Sequence, residues 1–205
     1  PGTAVSGTCV VRNTQPAQAV TLAGFDVFPH VSLVASGGHT CLYLATGPGE
    51  VTMLGQTADD AAGEAFDKVA KLLGLGYPGG PVIEQLARNA DERAFAFPKA
   101  QMKDGSLDFS FSGLKTAASL LIAEVEQAGS GEFDTARAHI AAEFQAAVVE
   151  VLVTKTMRAV EHTGCRRVLL GGGVARNGPL REELAAALEP AGTMFAPSPR
   201  LSTDN

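Results

Sequence analysis

Apolar and polar residues alternate in three short runs along the first part of the chain, and the spacing then changes to that of a helix. The runs 31–35, 41–46 and 51–56 are rich in valine, leucine and other apolar residues and are bounded by glycine or small polar residues, a pattern typical of strands. Between residues 60 and 73, Ala61, Ala65 and Val69 recur at helical spacing, with charged residues on the opposite side. The pattern predicts three successive strands followed by an amphipathic helix.

The rest of the chain alternates helical patterns with short apolar runs. Pro81 ends the loop 77–81 and is placed to open a helix over 82–89. Two longer helices are predicted over 113–127 and 135–162, the second ended by Gly164. An apolar strand is predicted at 168–170, followed by a glycine turn at 171–173. A helix at 179–188 and a last strand at 193–196 complete the chain. Strands that first form a meander and later alternate with helices predict the α/β class, with a mixed sheet.

Residues 1–28 differ from the rest of the chain. They carry threonine, serine, glutamine, proline and glycine with only weak apolar alternation, so no regular element is predicted for them. We expect an atypical, poorly ordered N-terminal segment at 1–28 and a folded region at 29–205.

Composition narrows the class of protein. Of the 205 residues, 45% are hydrophobic, which is enough for a core, and the formal net charge of −6 argues against a generic nucleic-acid coat with a basic face. Cys9, Cys41 and Cys165 have no paired or metal-type spacing, which is typical of reduced thiols. No run reaches the roughly eighteen apolar residues of a membrane span. We therefore expect a soluble, cytoplasmic protein without a membrane partner.

Two glycine turns carry the clearest functional signal. The segment 36–40, SGGHT, follows the first strand, and Gly171-Gly172-Gly173 lies between a strand and a helix. Glycine lets a backbone approach a ligand closely, and N–H groups at such turns can bind phosphate or carboxylate. A plain hairpin and a plain strand-to-helix turn are the structural alternatives. The occurrence of two such turns favours two walls of one nucleotide cleft.

Three further positions have both a functional and a structural interpretation. Asp67 can accept hydrogen bonds from ribose hydroxyls, or it can pair with Lys71 one helical turn further on. Gly79-Gly80 can approach a sugar or base, or form a plain turn. Asn177 can contact a base, or cap the helix that follows it.

Six motifs occur in the order found in a known family. They are SGGHT at 36–40, GEAFDK at 63–68, YPGGP at 77–81, FSFSGLKT at 109–116, GGGVARN at 171–177 and SPRLSTDN at 198–205. Together they resemble the bacterial TsaD family, the tRNA N6-adenosine threonylcarbamoyltransferases formerly called glycoproteases, over about residues 29–205. The resemblance implies a lobe of the actin/sugar-kinase/Hsp70-like (ASKHA) fold, in which two lobes enclose a nucleotide cleft. It also implies transfer of a threonylcarbamoyl group from threonylcarbamoyl-adenylate to N6 of the adenosine 3′ to the anticodon, in tRNAs that read A-starting codons.

The resemblance also implies roles for particular residues. The family's ribose-binding aspartate corresponds to Asp67, its glycine contact to Gly80 and its base-side asparagine to Asn177. Glu84 stands where family members often carry aspartate as an acidic contact. The substrate-binding loop corresponds to Val34, Ala35, Ser36, Gly37 and Gly38.

The family's metal, usually iron (Fe2+), is held by one aspartate and two histidines. The aspartate corresponds to Asp204, whereas the histidines, expected as H-x-x-x-H upstream of residue 29, are absent from this sequence. One carboxylate does not discriminate among iron, zinc and magnesium. The partners implied are tRNA, an adenine nucleotide, and proteins of the TsaB and TsaE types.

Several departures from the family pattern favour a truncated protein. Residues 1–28 do not resemble the family's N-terminal lobe, and the sequence ends at Asn205. Ser202 also replaces a cysteine common in bacterial members, a change that alone should be tolerated. We therefore expect a fragment of a two-lobe protein, or the product of a truncated gene, with impaired transferase activity. The alternative is a non-catalytic nucleotide-binding scaffold subunit of the same tRNA-modification complex. A small-molecule kinase of the same fold is less favoured, because no sugar or acetate site is recognisable.

Overall fold

The fold is a five-stranded mixed sheet packed against helices, as the strand and helix patterns predict. The computed structural model describes residues 28–88, 90, 95, 97, 105–189 and 192–195. The strands are β1 (His30–Ala35), β2 (Thr40–Gly47), β3 (Glu50–Gln56), β4 (Arg167–Gly171) and β5 (Thr193–Phe195). The helices are α1 (Ala62–Leu72), α2 (Gly79–Ala87), α3 (Ser112–Ala128), α4 (Ser130–Thr163) and α5 (Gly178–Leu188), with a one-turn 3-10 helix at Gly173–Arg176.

The sheet joins the two ends of the described chain. Its strand order is β3-β2-β1-β4-β5. The pairs β1–β2 and β2–β3 are antiparallel, and the pairs β1–β4 and β4–β5 are parallel. In the central parallel pair, Val31 lies opposite Val168 and Val34 opposite Gly171. Because parallel strands end at the same edge of a sheet, the carboxyl ends of β1 and β4 lie side by side. The predicted α/β class and mixed sheet are confirmed.

The core lies between the sheet and the helices. Alternate residues of β1, including Val31 and Leu33, are fully buried, as period-two patterning requires. On α1 the buried face carries Ala65, Phe66 and Val69, and the Phe66 ring meets the Phe144 ring of α4 edge to face at 5.4 Å between centroids. The apolar face that the sequence pattern predicts for α1 is therefore buried in the core.

Three helix boundaries differ from the sequence prediction. Helix α2 begins at Gly79 rather than after Pro81, because Pro81 occupies the third helical position, where a missing N–H breaks no helical hydrogen bond. Helix α4 begins at Ser130 rather than 135, and Phe133 in its first turn packs against the core. Its predicted end is confirmed, since Gly164 adopts the left-handed conformation, with φ of 68°. Helix α1 is two residues shorter at its start, where Asp60 instead forms ion pairs with two lysines.

Candidate functional site

The first glycine turn connects β1 to β2 and is closed by the Ser36 hydroxyl. Ser36 N donates to His39 O at 2.8 Å, while Ser36 Oγ accepts from His39 N at 3.1 Å and Gly38 N at 3.4 Å. The hairpin interpretation of this segment is therefore correct. Gly37 and Gly38 are exposed, and a Cβ added to either meets no atom within 4 Å. The turn presents open backbone at the carboxyl end of β1.

The second glycine turn follows β4 and presses against β1. Gly172 adopts φ of 90° and ψ of 172°, a combination that is essentially restricted to glycine. A Cβ on Gly172 would lie 2.2 Å from Ala35 O, whereas one on Gly171 meets nothing within 4 Å. The second glycine turn is thus in direct contact with the last residue of β1, Ala35, at the edge where β1 and β4 end. In open α/β sheets this edge is the usual location of a ligand.

The start of α1 closes a third side of this region. Gly63 N donates to Ser36 O at 3.0 Å, and a Cβ on Gly63 would lie 2.6 Å from that oxygen. Ala62 N donates to Thr40 Oγ1 at 2.9 Å. Both ends of the first glycine turn are therefore held by the first turn of α1.

Asp67 binds the backbone at the start of α2 and does not pair with Lys71. Its Oδ1 accepts from Gly79 N at 2.7 Å. A Cβ on Gly79 would lie 2.5 Å from Phe66 O, whereas Gly80 has open space in the Cβ direction. Among the described contacts Asp67 forms no ion pair with Lys71, and its Oδ2 accepts no hydrogen bond. One carboxylate oxygen of Asp67 thus positions the glycine pair, while the other accepts no hydrogen bond from the described residues.

Asn177 caps α5 and belongs to a buried amide and carboxylate group. Its Oδ1 accepts from Leu180 N at 3.0 Å, which confirms the capping interpretation. Its Nδ2 lies 2.9 Å from Gln145 Oε1 and 3.5 Å from Glu84 Oε2. Glu84 Oε1 accepts from Gly178 N at 3.4 Å. This arrangement, the amide cluster of Glu84, Gln145 and Asn177, joins α2, α4 and α5.

A second polar group lies at the corner between β3 and α1. Asp59 Oδ1 accepts from Phe111 N at 2.8 Å and Ser112 N at 3.3 Å, while Oδ2 accepts from the hydroxyls of Ser110 and Ser112 at 2.5 and 2.6 Å. Partial burial opposes ionisation of Asp59, but these hydrogen bonds outweigh it and lower the pKa of the carboxyl. Asp59 therefore fastens the start of α3 to the β3–α1 corner.

Asp60 lies beside Asp59 and bridges α1 to α3. Its Oδ1 lies 2.7 Å from Lys68 Nζ and its Oδ2 2.9 Å from Lys115 Nζ. The hydrogen bond from Lys68 is the largest influence on Asp60; burial opposes it and Lys115 adds to it, so the pKa of Asp60 is lowered. Both lysines are thus engaged in holding the two helices together.

The structure links several of the residues expected at a binding site in pairs. Contacts connect Ala35 to Gly172, Asp67 to Gly79, and Glu84 to Asn177. Asp204 lies outside the described residues, as does the segment 1–27 that makes up nearly all of the predicted N-terminal region. Within the described ranges, no group of three or more histidine, cysteine, aspartate or glutamate residues could hold a metal ion. No helix in that part of the chain is long and apolar enough to cross a membrane.

Gln145 is the site residue that sequence reasoning missed. It is only 7% exposed and contacts Asn177, although it lies in the middle of α4, far from any glycine motif. The available signal is a glutamine within the otherwise apolar stretch 144–149, because a buried side-chain amide needs a polar partner.

Comparison with known proteins gives consistent matches. The family model TsaD, described as tRNA N6-adenosine threonylcarbamoyltransferase, matches residues 15–205. The protein of that name from Bordetella petrii is 54% identical over 179 residues, which cover 87% of this chain and 51% of that protein. The one from Symbiobacterium thermophilum is 55% identical over 179 residues, with the same coverage. The chain spans about half the length of the curated relatives it matches.

A solved structure supports the fold assignment. Full-length HypF in its phosphate- and nucleotide-bound form superposes with a TM-score of 0.58 at 14% sequence identity, over 83% of this chain and 30% of that one. At this identity the similarity shows a shared fold.

Proposed function

The chain belongs to the TsaD family of tRNA N6-adenosine threonylcarbamoyltransferases, and on that basis we propose that it forms the nucleotide-binding lobe of such an enzyme. The proposed reaction moves a threonylcarbamoyl group from threonylcarbamoyl-adenylate to N6 of the adenosine 3′ to the anticodon, in tRNAs that read A-starting codons. The observation that carries the proposal is that two glycine turns follow the adjacent, parallel strands β1 and β4, with Gly172 packed against Ala35 at the end of β1. Such an edge with open backbone suits a nucleotide.

The first glycine turn is proposed to hold the adenylate phosphate. Val34 and Ala35 end β1, Ser36 closes the turn, and Gly37 and Gly38 leave the space beside the backbone open. A side chain at either glycine would occupy this space. An anion bound here would replace the Ser36 hydroxyl as the acceptor of Gly38 N and His39 N. Main-chain N–H groups at such a turn favour an anion.

The nucleoside is proposed to lie between α1, α2 and the start of α5. Asp67 Oδ2 is available to accept from ribose hydroxyls, and Gly80 leaves room for the sugar. Glu84 lies one helical turn after Gly80, and it contacts Asn177 at the start of α5. The contact of Asp67 with Gly79 and that of Glu84 with Asn177 support the placement of these four residues along one site.

The proposed chemistry is an acyl transfer. The N6 amine of the tRNA adenosine attacks the carbamoyl carbon, a C–N bond forms, the bond from that carbon to the phosphate oxygen breaks, and AMP leaves as the amine loses a proton. The contribution of this lobe is to hold the phosphate and the ribose, so that the carbamoyl carbon is oriented towards the amine. Positioning of this kind accounts for a large share of the rate enhancement in group transfer.

Metal binding is part of the proposal only through Asp204. The described residues do not provide a metal site, and no step above depends on a metal. When bound, an iron ion (Fe2+) would polarise the threonylcarbamoyl group, with Asp204 as one ligand. TsaB- and TsaE-type proteins are the proposed partners, and a tRNA substrate implies the cytoplasm as the location.

The test is a chimera with a full-length relative. Residues 29–205 of this chain replace the matching segment of the Bordetella petrii relative, which is 54% identical over 179 residues. Purified chimera and unaltered relative are supplied with tRNA, labelled threonine, bicarbonate, ATP, the adenylate-forming enzyme and the two partner proteins. We expect both to label tRNA, and we expect the chimera carrying Asp67→Ala to label it more slowly.

The outcomes separate the two candidate functions. A folded chimera that binds AMP but transfers no label would overturn the transferase proposal and favour the non-catalytic scaffold subunit. A folded chimera that does not bind AMP would overturn the nucleotide site itself.

A further inference from the structure

The amide cluster has a fixed hydrogen-bond direction. Leu180 N–H can only donate, so the atom of Asn177 that faces it at 3.0 Å must be the oxygen Oδ1. Asn177 Nδ2 then faces Gln145 at 2.9 Å and can only donate. Gln145 must therefore present its oxygen Oε1 to Asn177, because two NH2 groups cannot pair. The backbone of α5 thus determines the orientation of a side chain on α4.

This direction leaves one donor without a protein partner. Within the part of the chain that the structure describes, Gln145 Nε2 donates to no protein acceptor. Nε2 is also not among the fully buried side-chain atoms that lack a partner, which means that it is not sealed from the surface. The side chain as a whole is only 7% exposed. Nε2 is therefore a donor at the rim of a buried cluster, open to an acceptor that comes from outside the protein, either water or a ligand.

Asn177 itself has little capacity left for a ligand. Its Oδ1 is used by the α5 cap, and both Nδ2 hydrogens face protein acceptors, Gln145 Oε1 and, at 3.5 Å, Glu84 Oε2. A ligand base that approached Asn177 would have to displace one of these contacts. The donor at the end of the cluster is Gln145 Nε2.

We propose that Gln145 is a specificity-determining residue of the nucleotide site, whose Nε2 donates to an acceptor atom of the bound nucleoside. The acceptor is a ring nitrogen of the base or the 2′-oxygen of the ribose. This inference rests on the proposed nucleotide function and adds to it a residue on α4. Asn177 and the start of α5 then position Gln145.

The experiment is calorimetric titration with AMP at about pH 8, which favours the ionised form of an introduced carboxyl. Gln145→Glu keeps an oxygen for Asn177 and loses the outward donor, so we expect AMP affinity to fall about tenfold, the factor for one lost hydrogen bond. Gln85→Glu is the matched control, because it adds the same charge at an exposed position beside Glu84. We expect it to bind AMP within about twofold of the wild type. Gln145→Met removes the donor without adding charge, so a poorly folded Gln145→Glu protein does not end the test.

Thermal melting and a second ligand complete the design. If Gln145 serves only to hold Asn177, then folded Gln145→Glu binds AMP as tightly as the wild type, and the inference is overturned. If Gln85→Glu and Gln145→Glu lose AMP affinity equally, the inference is overturned as well, because the added charge alone then explains the loss. The titration is repeated with 2′-deoxy-AMP. If Gln145→Glu still binds this ligand about tenfold more weakly than the wild type, the acceptor is an atom of the base. If the two proteins bind it equally, the acceptor is the 2′-oxygen. A wild-type chain that binds no AMP overturns both this inference and the nucleotide proposal, whereas unchanged affinity in the variants overturns the Gln145 assignment alone.

Discussion

Replacing Gly172 by alanine tests the contact on which the proposed site depends. A Cβ at this position would lie 2.2 Å from Ala35 O and 2.7 Å from Ala35 C. Both atoms belong to the main chain of β1, so no side-chain rotation can relieve the overlap. The variant therefore has to move the carboxyl ends of β1 and β4 apart.

Two terms set the size of the effect. The backbone of Gly172, with φ of 90° and ψ of 172°, is in a region that strains other residues by about 1–3 kcal/mol. Overpacking against a rigid neighbour adds about 1–3 kcal/mol. The sum, about 2–6 kcal/mol, is a large part of the roughly 5–15 kcal/mol by which domains are stable. At about 2–4 °C per kcal/mol, the unfolding midpoint should fall by roughly 4–24 °C.

Gly171→Ala is the matched control for this measurement. It lies one residue away in the same turn, has no positive φ, and has no atom within 4 Å of the added Cβ. We expect its midpoint to equal or slightly exceed that of the wild type, because alanine loses less entropy than glycine on folding. Circular dichroism melts and urea titrations of both variants give the comparison. Midpoints of the two variants that agree within about 2 °C would refute the close approach of Gly172 to Ala35 at the end of β1.

Three further substitutions test individual side chains. Asp59→Asn should lower the free energy of unfolding in urea by about 1 kcal/mol at neutral pH, the scale of a helix cap. Because folding lowers the pKa of Asp59, its contribution to the free energy of unfolding is complete above the unfolded-state pKa of about 3.8 and is lost as the pH falls through the folded-state pKa. If the stability of Asp59→Asn fell with acid as that of the wild type does, this role would be contradicted. Asp67→Ala should weaken AMP binding about tenfold in calorimetry, whereas Asp67→Asn, which still accepts from Gly79 N, should keep the α2 contact; unchanged binding in Asp67→Ala would argue against a ribose contact. Asn177→Ala should remove the cap from Leu180 N and destabilise the protein by about 1 kcal/mol, and an unchanged melting midpoint would contradict that role.

The elements of this fold follow from local patterns, whereas the pairing of its strands does not. Strand β1 and helix α1 are visible in the sequence because their buried faces recur at periods of two and 3.6 residues. The start of α4 was missed because residues 130–134 have no apolar period, and the helix there is favoured by packing of Phe133. The parallel contact of β1 with β4 depends on residues far apart in sequence, which no local pattern encodes.

The candidate site shows the same division. The glycine turns and the Asn177 cap are local, and the residue types that surround them predict both. The partner of Asp67 is Gly79, on the next helix, and it could not be chosen over Lys71 until α1 and α2 were packed. Gln145 is further still from a local rule, since its partner lies on another helix.

The parallel pairing of β1 and β4 also has a kinetic consequence. Val31 meets Val168 only after nearly all of the described chain has been drawn into a loop, and closing a long loop is an entropic barrier that local helices do not face. We therefore expect helices α1 to α4 to form before β1 pairs with β4. A nucleotide that binds at the edge where β1 and β4 end binds only chains in which β1 is paired with β4. Its binding free energy would therefore stabilise this pairing.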